Sequence, residues 1–142
     1  MLTQRSRYAL RAMIFLAGQP RDGAPVPMGR IALEANVPRK FLELILADLR
    51  ESGFLYSTRG KAGGYRLSRP PHLISLGEVI RTIEGPLALV PCVSRTAYRP
   101  CADCRDEATC AIHIAMARVR DETARILDGT SLADTQAQAM AA

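Results

Sequence analysis

The chain has no tryptophan, and aromatic residues make up only 5% of its 142 positions. With hydrophobic residues at 48%, a core is affordable, but aliphatic side chains must fill it. No apolar run approaches the roughly 18 residues a membrane-spanning helix needs. The N-terminal stretch MLTQRSRYALRAMIFLAG is interrupted by Arg11 and offers no convincing cleavage site, so no secretory signal is read there. A cytoplasmic protein without membrane attachment is the expectation. No internal repeat is visible. The pattern G-x-x-x-x-G-K-[ST] is missing, which argues against a phosphate-cradling nucleotide loop. Cysteine is absent from 123 of the 142 residues.

All four cysteines fall within one stretch of 19 residues: Cys92, Cys101, Cys104 and Cys110. His113 follows three residues after the last. Structural thiols scatter through a core, whereas a metal or redox centre gathers them. In a cytosolic setting such crowding points to metal binding or redox chemistry rather than to structural disulfides. Soft thiolates suit an iron–sulphur cluster or zinc. Only Cys101 and Cys104 have the C-x-x-C spacing common in zinc sites, and that same pair could close a disulfide. No βαβ pattern surrounds the pair, which argues against a thiol oxidoreductase enzyme.

Charge is unevenly placed. Residues 1–70 carry 12 Lys and Arg against 5 Asp and Glu, whereas residues 71–142 carry 7 against 9. A basic first half is suited to a polyanion, and the second half has another task. Apolar periodicity predicts a helix over 5–17, a short one over 28–35, and a third over 38–52 with Leu42, Ile45, Leu46 and Leu49 as its buried stripe. Pro38 is expected in the first turn of that third helix, and Gly53 at its stop. Two short strands, 54–57 and 65–68, flank a glycine-rich basic tip, TRGKAGG. Ser75 and Glu78 spell a capping box for a helix to Glu84. A long helix is expected over 111–127, with Ile112, Met116, Val119, Thr123 and Ile126 at the spacing of a helix–helix seam. Whether that seam meets a second helix or the chain's own domain is open at this level. The tail beyond Leu132 is expected to fray.

Two helices joined by a three-residue turn and followed by a basic hairpin make a winged helix-turn-helix. The fold class is therefore mainly α with a small β-hairpin wing, followed by a long helix. Arg39, Lys40 and Glu43 lie near the start of the second helix of the pair, the end that faces base edges in the major groove. Arg59, Gly60 and Lys61 occupy the wing tip. Arg5, Arg7, Lys40 and Lys61 are candidates for phosphate contacts, and Arg39, Glu43 and Arg59 for sequence choice. A carboxylate such as Glu43 can accept from cytosine N4.

The segments RYALRAMIFLA (7–17), Phe41-Leu42-Glu43, LRESGF (49–54), RGKAGGYRLSRPP (59–71) and ISLGEVIRTIEG (74–85), together with the cysteine loop, resemble the IscR/NsrR/RirA family of bacterial regulators. The resemblance covers about residues 1–134. It implies a repressor that binds double-stranded DNA at a pseudo-palindromic operator as a homodimer. It also implies an iron–sulphur cluster controlling that binding in response to iron, redox state or nitric oxide. On this likeness residues 1–71 are the DNA-binding domain, 72–110 a linking helix and cluster loop, 111–134 the dimerisation helix, and 135–142 a flexible tail. Cys104 and Cys110 keep the family's five-residue separation, His113 matches the IscR branch, and Cys92 resembles the first cysteine. Cys101 is an additional thiol and a possible alternative ligand. The NsrR branch takes a carboxylate ligand from the N-terminal helix, where this chain has Tyr8. A [2Fe–2S] cluster is favoured and a [4Fe–4S] cluster possible. A zinc-stapled regulator and a metal-free thiol switch are the alternatives.

Overall fold

The computed structural model describes residues 2–141. Helix α1 spans Gln4–Ala17 and starts where the Thr3 hydroxyl accepts the Ser6 N–H at 3.2 Å. One face of it, Ser6, Ala9, Ala12, Met13 and Leu16, is buried, as helical periodicity requires. Helices α2 (Met28–Glu34) and α3 (Arg39–Glu51) follow, joined by a turn in which Asn36 has φ 55°. Asparagine tolerates that left-handed conformation better than most residues. Pro38 stands one step earlier than expected, as the residue preceding α3 rather than inside its first turn. The predicted stripe of Leu42, Ile45, Leu46 and Leu49 is buried, each at 1% exposure or less.

The wing pairs β1 (Leu55–Thr58) with β2 (Gly64–Leu67), antiparallel, in the register Leu55↔Leu67 to Thr58↔Gly64. Its root is stitched to the α1–α2 loop: Val26 and Tyr65 exchange backbone hydrogen bonds of 2.9 and 2.8 Å. Gly64 permits this approach, since a Cβ there would run into the Val26 carbonyl.

Helix α4 (Leu76–Glu84) carries the predicted capping box in full. The Ser75 hydroxyl accepts the Glu78 N–H at 3.1 Å, and Glu78 accepts the Ser75 N–H at 2.9 Å. After a loop containing two short 3-10 turns, α5 runs from Ala111 to Asp128. The last segment departs from expectation. Residues 133–141 are helical rather than frayed; α6 spans Leu132–Ala141 and lies on α1. Leu132 is fully buried in the same cluster as Met13, Ile31 and Ile74, and its N–H donates to the Ile74 carbonyl at 2.9 Å. At roughly 1.5–3 kcal/mol per buried aliphatic side chain, that anchor outweighs the weak amphipathicity of the helix it starts.

The architecture is thus a winged helix-turn-helix with a projecting helix. None of α5 is fully buried; Ile112, Val119 and Ile126 are 66%, 41% and 55% exposed, while Met116 and Thr123 are half-buried. The chain's own domain leaves most of the seam uncovered. Among the described residues no helix is long and apolar enough to cross a membrane.

Candidate functional site

Two surfaces carry chemistry. On the first, Arg39, Lys40 and Glu43 are exposed on the opening turns of α3, opposite its buried stripe. The Lys40 ammonium lies 4.9 Å from the Phe41 ring centroid. Arg59, Gly60 and Lys61 are exposed at the wing tip, where Gly60 has φ +102° and its carbonyl accepts the Gly63 N–H at 3.0 Å. Only glycine adopts such a φ without strain, so the turn depends on it. Among the described residues, Arg39, Glu43, Arg59 and Lys61 have no ion-pair or side-chain hydrogen-bond partner within the chain, so their charges face solvent unneutralised. Arg5 and Arg7 differ: Arg5 is paired with Asp48, and Arg7 hydrogen-bonds Gln4. Two residues at or beside the wing, one on α3 and one on β2, escaped sequence reasoning. Arg50 reaches Ser57 on β1 at 3.4 Å and ties the recognition helix to the wing, and Arg66 stands exposed opposite Tyr56. The alternation of strand residues could have placed Arg66 on the outer face.

The second surface is a cavity of about 340 Å³. Cys92, Cys101, Cys104, Cys110 and His113 all line it, with Val90, Ile112, Asp103, Arg105 and Asp106 among its other walls. Each donor arrives differently. Cys92 sits in the 3-10 turn Pro91–Val93 and is buried. Cys101 and Cys104 are exposed and share a tight turn, the Cys104 N–H donating to the Cys101 carbonyl at 3.2 Å. Cys110 is the residue that precedes α5, and His113 lies in its first turn, so their three-residue spacing puts both on one helix face. The His113 Nδ1 lies 3.4 Å from the Cys92 sulphur. That approach across 21 residues is invisible in the sequence.

Electrostatics in the cavity disfavours a free thiolate at Cys92 and at Cys104. Burial pushes Cys92 up from the ordinary thiol range, and the charge and hydrogen bond of Cys101 add to this. Burial also raises Cys104, followed by the Glu107 carboxylate and the charges of Cys101 and Cys110. Clustered thiols of this kind ionise together only when a cation joins them. Among the described residues no three His, Cys, Asp or Glu side chains converge as the ligands of a single ion do. The donors instead surround a space larger than one ion occupies.

The loop is held from outside by residues the sequence did not flag. The Arg120 guanidinium on α5 donates to the Val93 carbonyl at 2.8 Å, and Arg95 pairs with Asp121 at 3.3 Å. The Tyr98 hydroxyl donates to Glu107 at 2.5 Å, which pushes its own pKa to about 12. At the far end of α5, Arg81 of α4 clamps Asp128 through two hydrogen bonds of 2.6 and 2.9 Å. Those bonds hold the Asp128 carboxyl below its ordinary range. Tyr8, on α1, packs on Phe41 with ring centroids 5.9 Å apart and lies outside the cavity wall.

Comparison with known proteins is consistent from end to end. The family Rrf2, described as an iron-dependent transcriptional regulator, matches residues 2–138. An rrf2-like HTH-type transcriptional regulator of Rhodobacter capsulatus is 43% identical over 136 residues, covering 94% of this chain and 91% of that protein. The structure of CymR, the global cysteine regulator of B. subtilis, superposes with a TM-score of 0.78 at 30% identity over 97% of both chains. IscR of T. potens superposes with a TM-score of 0.77 at 28% identity, over 98% of this chain and 88% of that one.

Proposed function

Because this chain belongs to the Rrf2 family of transcriptional regulators, we propose that it acts as a homodimer whose grip on operator DNA is set by an iron–sulphur cluster in the thiol cavity. It is a DNA-binding regulator and not an enzyme. The observation that carries the cluster reading is the cavity itself, where four thiols and an imidazole line about 340 Å³ without converging on a point. That donor set is soft, and its spread suits a multi-atom cofactor better than a lone zinc ion, whose donors would sit about 2.0–2.3 Å from one centre. The family's description as iron-dependent supports the same choice. Cys92, Cys104, Cys110 and His113 are the proposed ligands of a [2Fe–2S] cluster, with Cys101 the spare thiol. Such a group supplies a sensing chemistry that responds to iron supply, oxidation or nitric oxide.

The chain's own residues do the rest. The uncovered seam of α5, continuous with a cleft lined by Leu2, Ile80, Leu87, Leu89, Val119 and Leu127, supports pairing with a second copy. Two recognition helices then meet half-sites about 34 Å apart. Arg39, Glu43 and Arg59 read the site, while Lys40 and Lys61 touch phosphates. Arg120 binds the cysteine loop to α5 and Arg81 binds α5 to α4, so the state of the loop reaches the winged domain through two side-chain contacts. A coupling of about 1–3 kcal/mol, or roughly 5–150-fold in affinity, is the scale such linkage supplies.

Oxygen-free purification tests this directly. The expected protein is coloured, contains iron and acid-labile sulphide, and changes its affinity for operator duplex at least fivefold when stripped. Colourless protein without iron or sulphide, binding equally well after its thiols are blocked, would refute the proposal.

A further inference from the structure

We propose that Leu44 determines part of the operator sequence, its side chain reading a thymine methyl in the major groove beneath α3. The inference rests on α3 being the DNA-reading helix. A helix that buries Leu42, Ile45, Leu46 and Leu49 on one side is expected to be polar on the other. Leu44 breaks that rule. It is 69% exposed, one helical turn beyond Lys40 and next to Glu43. Phe41, at 46%, also reaches solvent, but its ring is already engaged within the chain. Tyr8 packs on it with centroids 5.9 Å apart, and the Lys40 ammonium stands 4.9 Å from its centroid. With Gln4, Arg5, Tyr8 and Ile45, these two side chains line a hollow of about 350 Å³ between α1 and α3.

The surroundings of the hollow decide what it meets. Arg39 and Lys40 are exposed beside it on the opening turn of α3. Asp48, further along the helix, is paired with Arg5, so its charge does not oppose an approaching phosphate. An apolar surface framed by cations suits a polyanion that displays apolar groups along one edge. Duplex DNA is such a partner, because thymine places its C5 methyl in the major groove between the phosphate backbones. An apolar protein surface seated there would strip water from Lys40 and leave its charge uncompensated. The cleft beside the α5 seam shares no lining residue with this hollow, so pairing of two copies along that seam leaves Leu44 free for DNA.

Glu43 and Leu44 then divide the reading. Successive residues point about 100° apart around a helix, so the two side chains address neighbouring base pairs. The Glu43 carboxylate accepts a hydrogen bond, whereas Leu44 discriminates by apolar contact alone. Cytosine in place of thymine lacks the methyl and presents an amino donor that leucine leaves unsatisfied.

The test uses the full chain and a duplex drawn from a random-sequence pool by repeated binding to it. Each thymine is replaced in turn by deoxyuridine, which removes the methyl and keeps every hydrogen-bonding group. Wild-type affinity is expected to fall about fourfold at one position or more in each half-site, the factor that burying one methyl-sized group supplies, and about sixteenfold when both half-sites are changed. In Leu44→Ala the same replacement should cost less than about twofold, with thermal midpoint and helical circular dichroism matching the parent. Replacement that costs the parent nothing, or costs Leu44→Ala as much as the parent, overturns the proposal. So does a selected duplex with no thymine in its half-sites. If Leu44→Ala alters sedimentation and leaves the methyl dependence intact, a second copy occupies the hollow and the proposal falls. Failure of the underlying reading is distinguishable: Arg39→Ala and Lys40→Ala would then leave affinity for every duplex unchanged. If those two variants weaken binding while methyl removal has no effect, α3 reads DNA without Leu44.

Discussion

Replacing Lys61 with alanine separates affinity from sequence choice at the wing. Lys61 and Arg59 flank Gly60 at an exposed tip and have no counter-ion among the described residues, so each is free to meet DNA, but in different ways. An ammonium on a flexible stem is a point charge for phosphate, whereas a guanidinium can read base edges or a narrow minor groove. Each phosphate contact contributes about 0.9 to the slope of log affinity against log salt. A homodimer carries two wings, so Lys61→Ala should flatten that slope by about 1.8. Between 50 and 200 mM salt, a fourfold rise, the wild-type advantage should therefore shrink by roughly twelvefold. Arg59→Ala should instead reduce discrimination between operator and random duplex by about 1–3 kcal/mol. Fluorescence anisotropy at four or five salt concentrations, with both duplexes, measures both quantities. A flattening near 0.9 would mean that only one wing touches phosphate. An unchanged slope in Lys61→Ala, with discrimination intact in Arg59→Ala, would remove the wing from the interface altogether.

Three further outcomes follow from contacts away from the DNA surface. Arg120→Ala leaves the buried Val93 carbonyl without its charged donor, at a cost of roughly 1–3 kcal/mol, and limited proteolysis should then cut the 94–107 loop faster while the thermal midpoint falls by several degrees. Ile126→Glu places a charge on the uncovered seam, 55% exposed in the single chain, so sedimentation should show a monomer with undiminished helix content. Asp128→Asn weakens the clamp to Arg81. The Asp128 carboxyl is held low in the folded chain, so its contribution is complete above the unfolded carboxylate pKa and fades as pH falls through the folded value. For a half-exposed pair the loss is at most about 1 kcal/mol, and urea midpoints of parent and variant should differ at pH 7 and converge once pH falls below the ordinary carboxylate range.

Much of the winged domain was legible because its signals are local. The stripe Leu42, Ile45, Leu46, Leu49 and the capping box Ser75–Glu78 are patterns within two helical turns, and both hold to the residue. Both strands lie one residue nearer the wing tip than expected, because Thr58 pairs with Gly64 and extends the ladder there. Helix α6 was missed for the opposite reason. Its Ala- and Gln-rich sequence has little amphipathicity, yet the Ser131 hydroxyl accepts the Asp134 N–H at 3.0 Å and the Asp134 carboxylate accepts the Ser131 N–H at 2.9 Å, a reciprocal box that starts the helix. In the cavity, the crowding of thiols was visible along the chain. Which donor neighbours which was not, because Cys92 meets His113 only after the loop folds back on the start of α5.

The position of the cavity on α5 gives the proposed coupling a mechanical basis. Cys110 and His113 lie at the helix's first turn, and the Arg81–Asp128 clamp lies at its last residue. Immediately beyond, Leu132 is locked into the winged domain's core. An 18-residue helix is about 27 Å long at 1.5 Å per residue, so a 10° tilt about the clamped end moves the cavity end by roughly 5 Å. The Arg120–Val93 contact, the Arg95–Asp121 pair and the Cys92–His113 approach bear on that long arm from the loop, and exposed loop residues resist it little. Closing or emptying the cavity therefore acts where the least force is needed, while the fixed end sits where a change of angle is felt by α4 and, through the Glu78–Arg69 pair at 3.2 Å, by the strand leaving the wing. With two such helices packed along their seams, one tilt displaces both recognition helices relative to a spacing DNA does not relax. On the proposed coupling, the weak, half-exposed Arg81–Asp128 pair is expected to affect regulation more than stability.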